Sequence, residues 1–462
     1  MANKTLSRRD FLKVSGATAA GSWLAANLSA AAADAPARPA QQEAEVVWMM
    51  NTNEFSDAEI ALFQEKNPGI TLTRIDNDQT RLFAMMAAGE PPDVWRLQYP
   101  QFPQLLARGL VLNLQSYFEA SSVISEDDMV APNNFYKATD PFNIGEGDRY
   151  GMIKDWSPDM TIFVNDALFE AAGVEPLSST EPISYQELAA VADSVKRFEG
   201  DRAAVIGLFT NVSGWSDRYW EAWLQPLGNS LYTPDFEQAN IVNNDEARAM
   251  IQYHLDLAMN RTAVSPKLAL NAWACPDMIA GTIAIVQFGY WFSACLRLNV
   301  GDNAEFKALM DEGKIRMLPA PTWGGVRSSP TITATASVVS SLTKNADASW
   351  AAFQYYMAEE PAIARAEIGW GVPALQSLFD LLPKDDLYGA QNFDVLLAEQ
   401  EYADTIIKAN PYLVGGEPGV IGEVFNTNLE LYMDGGIDFE TLVFTMEDEA
   451  NFAIQEGKDR IG

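Results

Sequence analysis

The stretch EVVWMM at residues 45–50, running into the polar tetrapeptide NTNE at 51–54, opens the part of the chain whose reading decides the fold. Its apolar and β-forming residues read as a short buried strand, and the polar run as the loop that ends it. Ser56 can cap a helix whose apolar positions Ile60, Leu62 and Phe63 lead to the stop signal Asn67-Pro68-Gly69. A second strand follows at 70–75, a polar loop at 76–79, a helix at 80–88 closed by Gly89, and a third strand from Asp93-Val94-Trp95. Strand, helix, strand, helix, strand in so short a span is the grammar of a parallel sheet wrapped by helices. In such sheets ligands lie beyond the carboxyl ends of the strands, which puts 51–54, 76–79 and 96–99 on one rim.

Outward from that stretch the grammar repeats. Strands are expected at 161–164, 204–209, 282–287 and 315–318, and helices at 167–172, 185–198 after the cap Ser184, 216–224, 245–259, 346–358 and 361–368. Pro- and Gly-rich junctions at 155–159, 320–330 and 369–373 are the candidate crossings between two lobes, which a chain of 462 residues has ample length to build.

Composition narrows the chemistry. The chain is 48% hydrophobic with a formal charge of −32, and its basic residues are scattered, which argues against nucleic acid or an anionic membrane as partner. One histidine, His254, and two cysteines, Cys275 and Cys295, are too few for most zinc, copper or iron–sulfur sites, so no metal or other cofactor is expected. His254 falls in the helical stretch 245–259 and reads as a helix residue without a catalytic role. The cysteines allow either a disulfide or two buried thiols.

At the N-terminus, Ser7-Arg8-Arg9-Asp10-Phe11-Leu12-Lys13 precedes a weakly apolar stretch rich in Ala, Gly and Ser that ends near Ala33. It resembles a twin-arginine export signal, and it is too short and too diluted to be a lasting membrane span. Residues 1–33 are therefore expected to be removed and 34–43 to form a linker. With no cysteine before Cys275 the new N-terminus offers no site for lipid modification, so a freely diffusing periplasmic monomer is expected.

An ordered set of motifs then covers nearly all of the mature chain: FQEKNPGI at 63–70, AAGEPPDV at 87–94, GLVLNL at 109–114, IFVNDALFEAAGV at 162–174, MIAGTIAI at 278–285 leading to Gly289-Tyr290-Trp291, KNADASW at 344–350 and GWGVPA at 369–374. In this order they resemble the family 1 extracellular solute-binding proteins, the sugar-binding components of bacterial ABC importers. One departure is Ser184-Tyr185-Gln186-Glu187, where the family has a T-W-x-E-L helix cap. The resemblance implies two α/β lobes, each a mainly parallel sheet flanked by helices, with residues 44–156 and 333–370 in the first, 157–332 and 371–462 in the second, and the ligand cleft between them. It also implies a small solute, best read as a sugar, and a membrane permease as partners.

A sugar offers hydroxyl groups at its edge and C–H patches on its faces, so its pocket needs aromatic platforms and paired donors and acceptors. The resemblance places a platform at Trp291. Trp156 and Asp155 stand at the first crossing, Asn51, Asn53, Gln98 and Tyr99 on the first-lobe rim, and Tyr290, Trp215, Trp370 and Asp78 complete the candidates. Trp220, Trp223 and Trp350 fall inside helical patterns and read as core. The alternatives are a non-sugar ligand such as a phosphorylated polyol, a peptide or an amine, and more remotely a carbohydrate-active enzyme, for which no carboxylate pair stands out.

Overall fold

A computed structural model describes residues 43–461 apart from 211, 404 and 414–418, and the side chains of 212–216 also lie outside the description. The expected export signal, most of the linker and the side chain of Trp215 therefore fall outside the described residues.

The first strand forms as β1 (Ala44–Met49), followed by α1 (Asp57–Lys66), β2 (Ile70–Ile75), α2 (Gln79–Ala87) and β3 (Val94–Leu97). The Ser56 hydroxyl accepts from the Glu59 amide, and the Glu59 carboxylate accepts from Ser56 in return, a reciprocal cap worth about 1 kcal/mol. β1 pairs in parallel with β2, Val46 opposite Leu72, and with β3, Trp48 opposite Val94.

The chain continues through β4 (Gly151–Ile153), β5 (Asp155–Trp156), β6 (Ile162–Asn165), α3 (Tyr185–Val195), β7 (Arg197–Glu199), β8 (Arg202–Phe209), α4 (Val212–Leu224), α5 (Asp245–Met259), α6 (Ala274–Ile279), β9 (Ile283–Gln287), α7 (Trp291–Asn299), β10 (Ile315–Leu318), β11 (Ala336–Val339), α8 (Ala346–Ala358), α9 (Glu360–Ile368), β12 (Val372–Pro373), α10 (Leu387–Glu399), α11 (Gly419–Met433) and α12 (Phe439–Ile461). The first sheet has the order β2-β1-β3-β11-β4 and the second β10-β6-β9-β8-β7. In each sheet the parallel strands also take a reversed one delivered by a crossing. β11 runs antiparallel to β3 and β4, and β6 antiparallel to β9 and β10. β7 is a further reversed strand, at the edge of the second sheet against β8. Residues 154–161 lead from β4 in the first sheet to β6 in the second, and 319–335 lead back from β10 to β11, so the chain leaves the first sheet and returns to complete it.

Helix α8 packs on β1 and β11, where Trp48 meets Tyr356 with ring centroids 5.2 Å apart. One apolar cluster runs from Trp48 and Phe102 through Trp156 to Phe163, Phe292 and Met317 on one face of the second sheet. The opposite face, with Ile162, Val164 and Ile285, packs in a second cluster against α3, α4 and α12 through Leu188, Trp220 and Leu442.

Trp220 and Trp223 are buried, as the helical pattern required, and Trp350 stacks half-buried on Phe353. His254 is buried, its Nδ1 2.8 Å from the Met250 carbonyl, and burial drives its pKa down to about 4. Cys275 and Cys295 are both free and buried. Among the described residues no helix is long and apolar enough to cross a membrane.

Candidate functional site

The crossings meet where β5 pairs with β12, Trp156 opposite Val372 and Asp155 opposite Pro373. Gly371, at φ +82°, lets the third crossing lie directly against Asp155. A Cβ there would stand 2.8 Å from the Asp155 Cβ, so no other residue fits without displacing the carboxylate.

The loop after β1, the end of β3 and the first crossing converge as a buried charge network. Asn51 Nδ2 donates to Glu54 Oε1 at 3.0 Å, Arg96 Nε donates to Glu54 Oε2 at 3.1 Å, and Lys154 Nζ bonds Asp155 while lying 3.8 Å from Glu54. Burial alone would raise the pKa of Glu54, but Arg96 and Lys154 outweigh it and hold the carboxylate ionised down to about 2. For Asp155 burial prevails over Lys154 and moves the pKa upward.

Trp291, where the resemblance implies an aromatic platform, is the first residue of α7; Phe288 and Phe292 pack on it and its amide donates to Ser157 Oγ at 3.2 Å. Its ring stays half-buried, 6.2 Å from the half-buried Trp370. Tyr290 and Trp156 are buried among core residues, with 1% and 4% of their surface exposed, so neither presents a face to the cleft in this conformation. Gly289 allows a close approach here as well, since a Cβ on it would come within 2.4 Å of Asp159 Oδ1.

Between the sheets lies a cavity of about 50 Å³. Gln98, Tyr99, Gln101 and Gln104 line it from the end of β3, Asp217, Arg218 and Glu221 from α4, and Lys408 and Asn410 from the later chain. Arg218 Nη1 donates to Gln98 Oε1 at 2.6 Å, joining the lobes directly. The first lobe also reaches over with Arg108, whose Nη1 and Nη2 donate to the carbonyls of Pro411 and Tyr412 at 3.2 and 3.1 Å. The carboxylates have structural partners. Asp217 accepts from the Gly422 and Ile421 amides at the start of α11, and Glu221 accepts from Gln225, Ser230 and the Leu231 amide. Burial nevertheless lifts them to about 6 and about 7.

The structure thus brings Gln98 and Tyr99 to the cavity, and Asp155, Trp156, Tyr290, Trp291 and Trp370 around the crossings, with Asn51 tied into the charge network. It does not bring in Asn53 or Asp78. Both are exposed, and Asp78 instead caps α2 by accepting from the Arg81 amide at 2.9 Å. Arg218, Glu221, Asp159 and Arg365 were not singled out by sequence reasoning. The first two sit in a Trp-rich helical pattern that reads as core, and only the tertiary fold turns one polar edge of that helix toward the other lobe. Among the described residues no group of three or more His, Cys, Asp and Glu is arranged to hold a metal ion.

The family model described as bacterial extracellular solute-binding protein matches residues 58–387, and a twin-arginine translocation signal matches residues 5–25. No match to a curated protein sequence is found. Among solved structures, an ABC substrate-binding protein from Listeria monocytogenes in complex with cycloalternan is similar with a TM-score of 0.69 at 18% identity, over 90% of this chain and 100% of that one. A solute-binding protein from Thermotoga lettingae bound with α-D-tagatose gives 0.66 at 18% identity, over 90% and 100% of the two chains. The galacto-N-biose/lacto-N-biose I-binding protein from Bifidobacterium longum, in complex with lacto-N-biose, gives 0.67 at 13% identity, over 91% and 99%.

Proposed function

Because the chain belongs to the bacterial extracellular solute-binding protein family and carries a twin-arginine export signal, we propose that it captures a carbohydrate outside the cytoplasm and passes it to the permease of an ABC importer. The observation that carries this reading is the cavity between the sheets, to which both lobes contribute hydrogen-bonding side chains. Amides and charged groups on opposite walls suit a ligand with hydroxyls all around its edge. The half-buried indoles of Trp291 and Trp370 supply apolar platforms beside the crossings. The sugars held by the structural relatives support a mono- or oligosaccharide or a polyol as the ligand. In this reading the lobes comprise residues 44–156 with 333–370 and 157–332 with 371–462, and the mature protein is an unanchored monomer that returns its ligand unaltered.

A thermal-shift panel of sugars, polyols, amines and peptides tests the class, since a ligand of the native state alone raises the melting temperature. A sugar or polyol should do so and be recovered chemically unchanged. A shift given only by an amine or a peptide would overturn the carbohydrate reading, and consumption of the sugar would overturn the binding role. Trp291→Ala should weaken binding by about 2–4 kcal/mol, roughly 30- to 1000-fold, with a smaller loss of stability. A collapsed melting temperature with intact affinity would make Trp291 a packing residue only.

A further inference from the structure

A second, smaller cavity lies at the joint of the first and third crossings, lined by Lys154, Asp155, Arg365, Trp370 and Gly371. Its volume of about 10 Å³ is close to that of one water-sized sphere. Arg365 on α9 is only 8% exposed; its Nη2 donates to the Tyr356 carbonyl at 2.9 Å and its guanidinium lies 4.3 Å from the centre of the Tyr356 ring. Its Nε and Nη1, both buried, have no hydrogen-bond partner among the described residues.

The charges around this cavity do not balance. Arg96, Lys154 and Arg365 are three cations, and Glu54 and Asp155 two carboxylates. Glu54 is bonded to Arg96 and Asp155 to Lys154, and Arg365 shares the field of Asp155 with Lys154, so the group as a whole carries one excess positive charge. A buried group of charges with a net positive excess is costly, and the two unused N–H donors of Arg365 add to that cost.

We propose that this cavity binds one small monovalent anion, held by Arg365 and Lys154 at the joint of the crossings. The shared chemistry is one negatively charged atom presented to a water-sized space: a free halide, or a single oxygen of the carboxylate of a small or sugar acid reaching into the joint. The site is lined by different residues from the cavity between the sheets, and with a halide as occupant it does not depend on which solute is carried there. Bound at the joint, the anion ties α9 to the first crossing, so halide concentration is linked to the stability of that joint.

The test compares the mature protein in sodium chloride and sodium bromide with sodium methanesulfonate at the same ionic strength, with acetate and glucuronate as further arms. Chloride and bromide should raise the melting temperature saturably by several degrees above methanesulfonate, and Arg365→Gln should abolish the difference. Line broadening of the ³⁵Cl resonance by the wild-type protein, reversed by bromide, reads the same site without a variant, and Lys154→Met should reduce it. If acetate or glucuronate displaces chloride, the carboxylate source is supported. Identical melting in every salt together with no ³⁵Cl broadening would overturn the proposal and leave a water as the partner of Arg365.

Discussion

Asp159 shows how one residue can matter without a sequence signal. It lies in the first crossing, 2% exposed, with Oδ2 accepting from the Thr333 amide at 3.1 Å and hydroxyl at 3.0 Å, while Oδ1 is buried with no partner. Burial, only partly offset by Thr333 and Arg218, raises its pKa from 3.8 to about 7. Between these values the native state holds a proton that the unfolded state has released, so this group's contribution to stability falls as pH rises from about 4 to about 7 and then levels. Each unit of displacement is worth about 1.4 kcal/mol. Asp159→Asn keeps an acceptor for Thr333 and removes the charge. It should be more stable than the wild type at pH 8, with the gap closing toward pH 4, as read from urea unfolding across that range. A gap independent of pH would mean that Asp159 stays ionised in the native state. Four residues earlier, Asp155 stands at the same first crossing and is a candidate for that reason; nothing in the string DWSPDM at 155–160 tells which of its two acids loses its water.

Among the elements, those made by local pattern were legible. β2, α5, β10 and α8 fall at the residues expected, since caps and the apolar period act within a few residues of themselves. The start of α7 was not, because it depends on Ser157 and Phe288 meeting Trp291 from elsewhere in the chain. The hairpin over 137–149 and helices α10 to α12 were also missed. The ribbon of β5 and β12 offers a direct test at this scale. Gly371 and Gly228 both have positive φ, +82° and +74°, but an added Cβ at Gly228 would meet nothing within 4 Å. Gly228→Ala should therefore lose only the about 1–2 kcal/mol of left-handed strain, and Gly371→Ala clearly more, because it also pushes Asp155 from Lys154. Equal losses in denaturant titrations would show that the Asp155 side chain swings aside freely.

For the molecule as a whole, the cavity between the lobes is the decisive feature. Its volume of about 50 Å³ admits a few waters, whereas small-molecule pockets measure about 300–1,000 Å³. A solute of sugar size would therefore enter only if the lobes part, which requires breaking the Arg218–Gln98 contact and freeing Arg108 from the carbonyls of Pro411 and Tyr412. Small-angle scattering should show the ligand-free protein expanding relative to this arrangement, and a saturating sugar should reduce its radius of gyration. An unchanged radius with saturating ligand would argue for a rigid site.

Sequence alone determined what local chemistry controls: the export signal at Arg8 and Arg9, the parallel strand–helix grammar of residues 44–97, the scarcity of imidazole and thiol, and the membership in a solute-binding family through ordered motifs. Tertiary structure alone decided which polar groups face one another. Gln98 and Arg218 lie on different lobes, and Asp155 meets Gly371 only because two crossings pair as a ribbon. The physical reason is range. Caps, turns and apolar periods are set by neighbours within a turn or two, whereas a buried charge or a cleft is defined by groups that only the folded chain brings within a few ångströms.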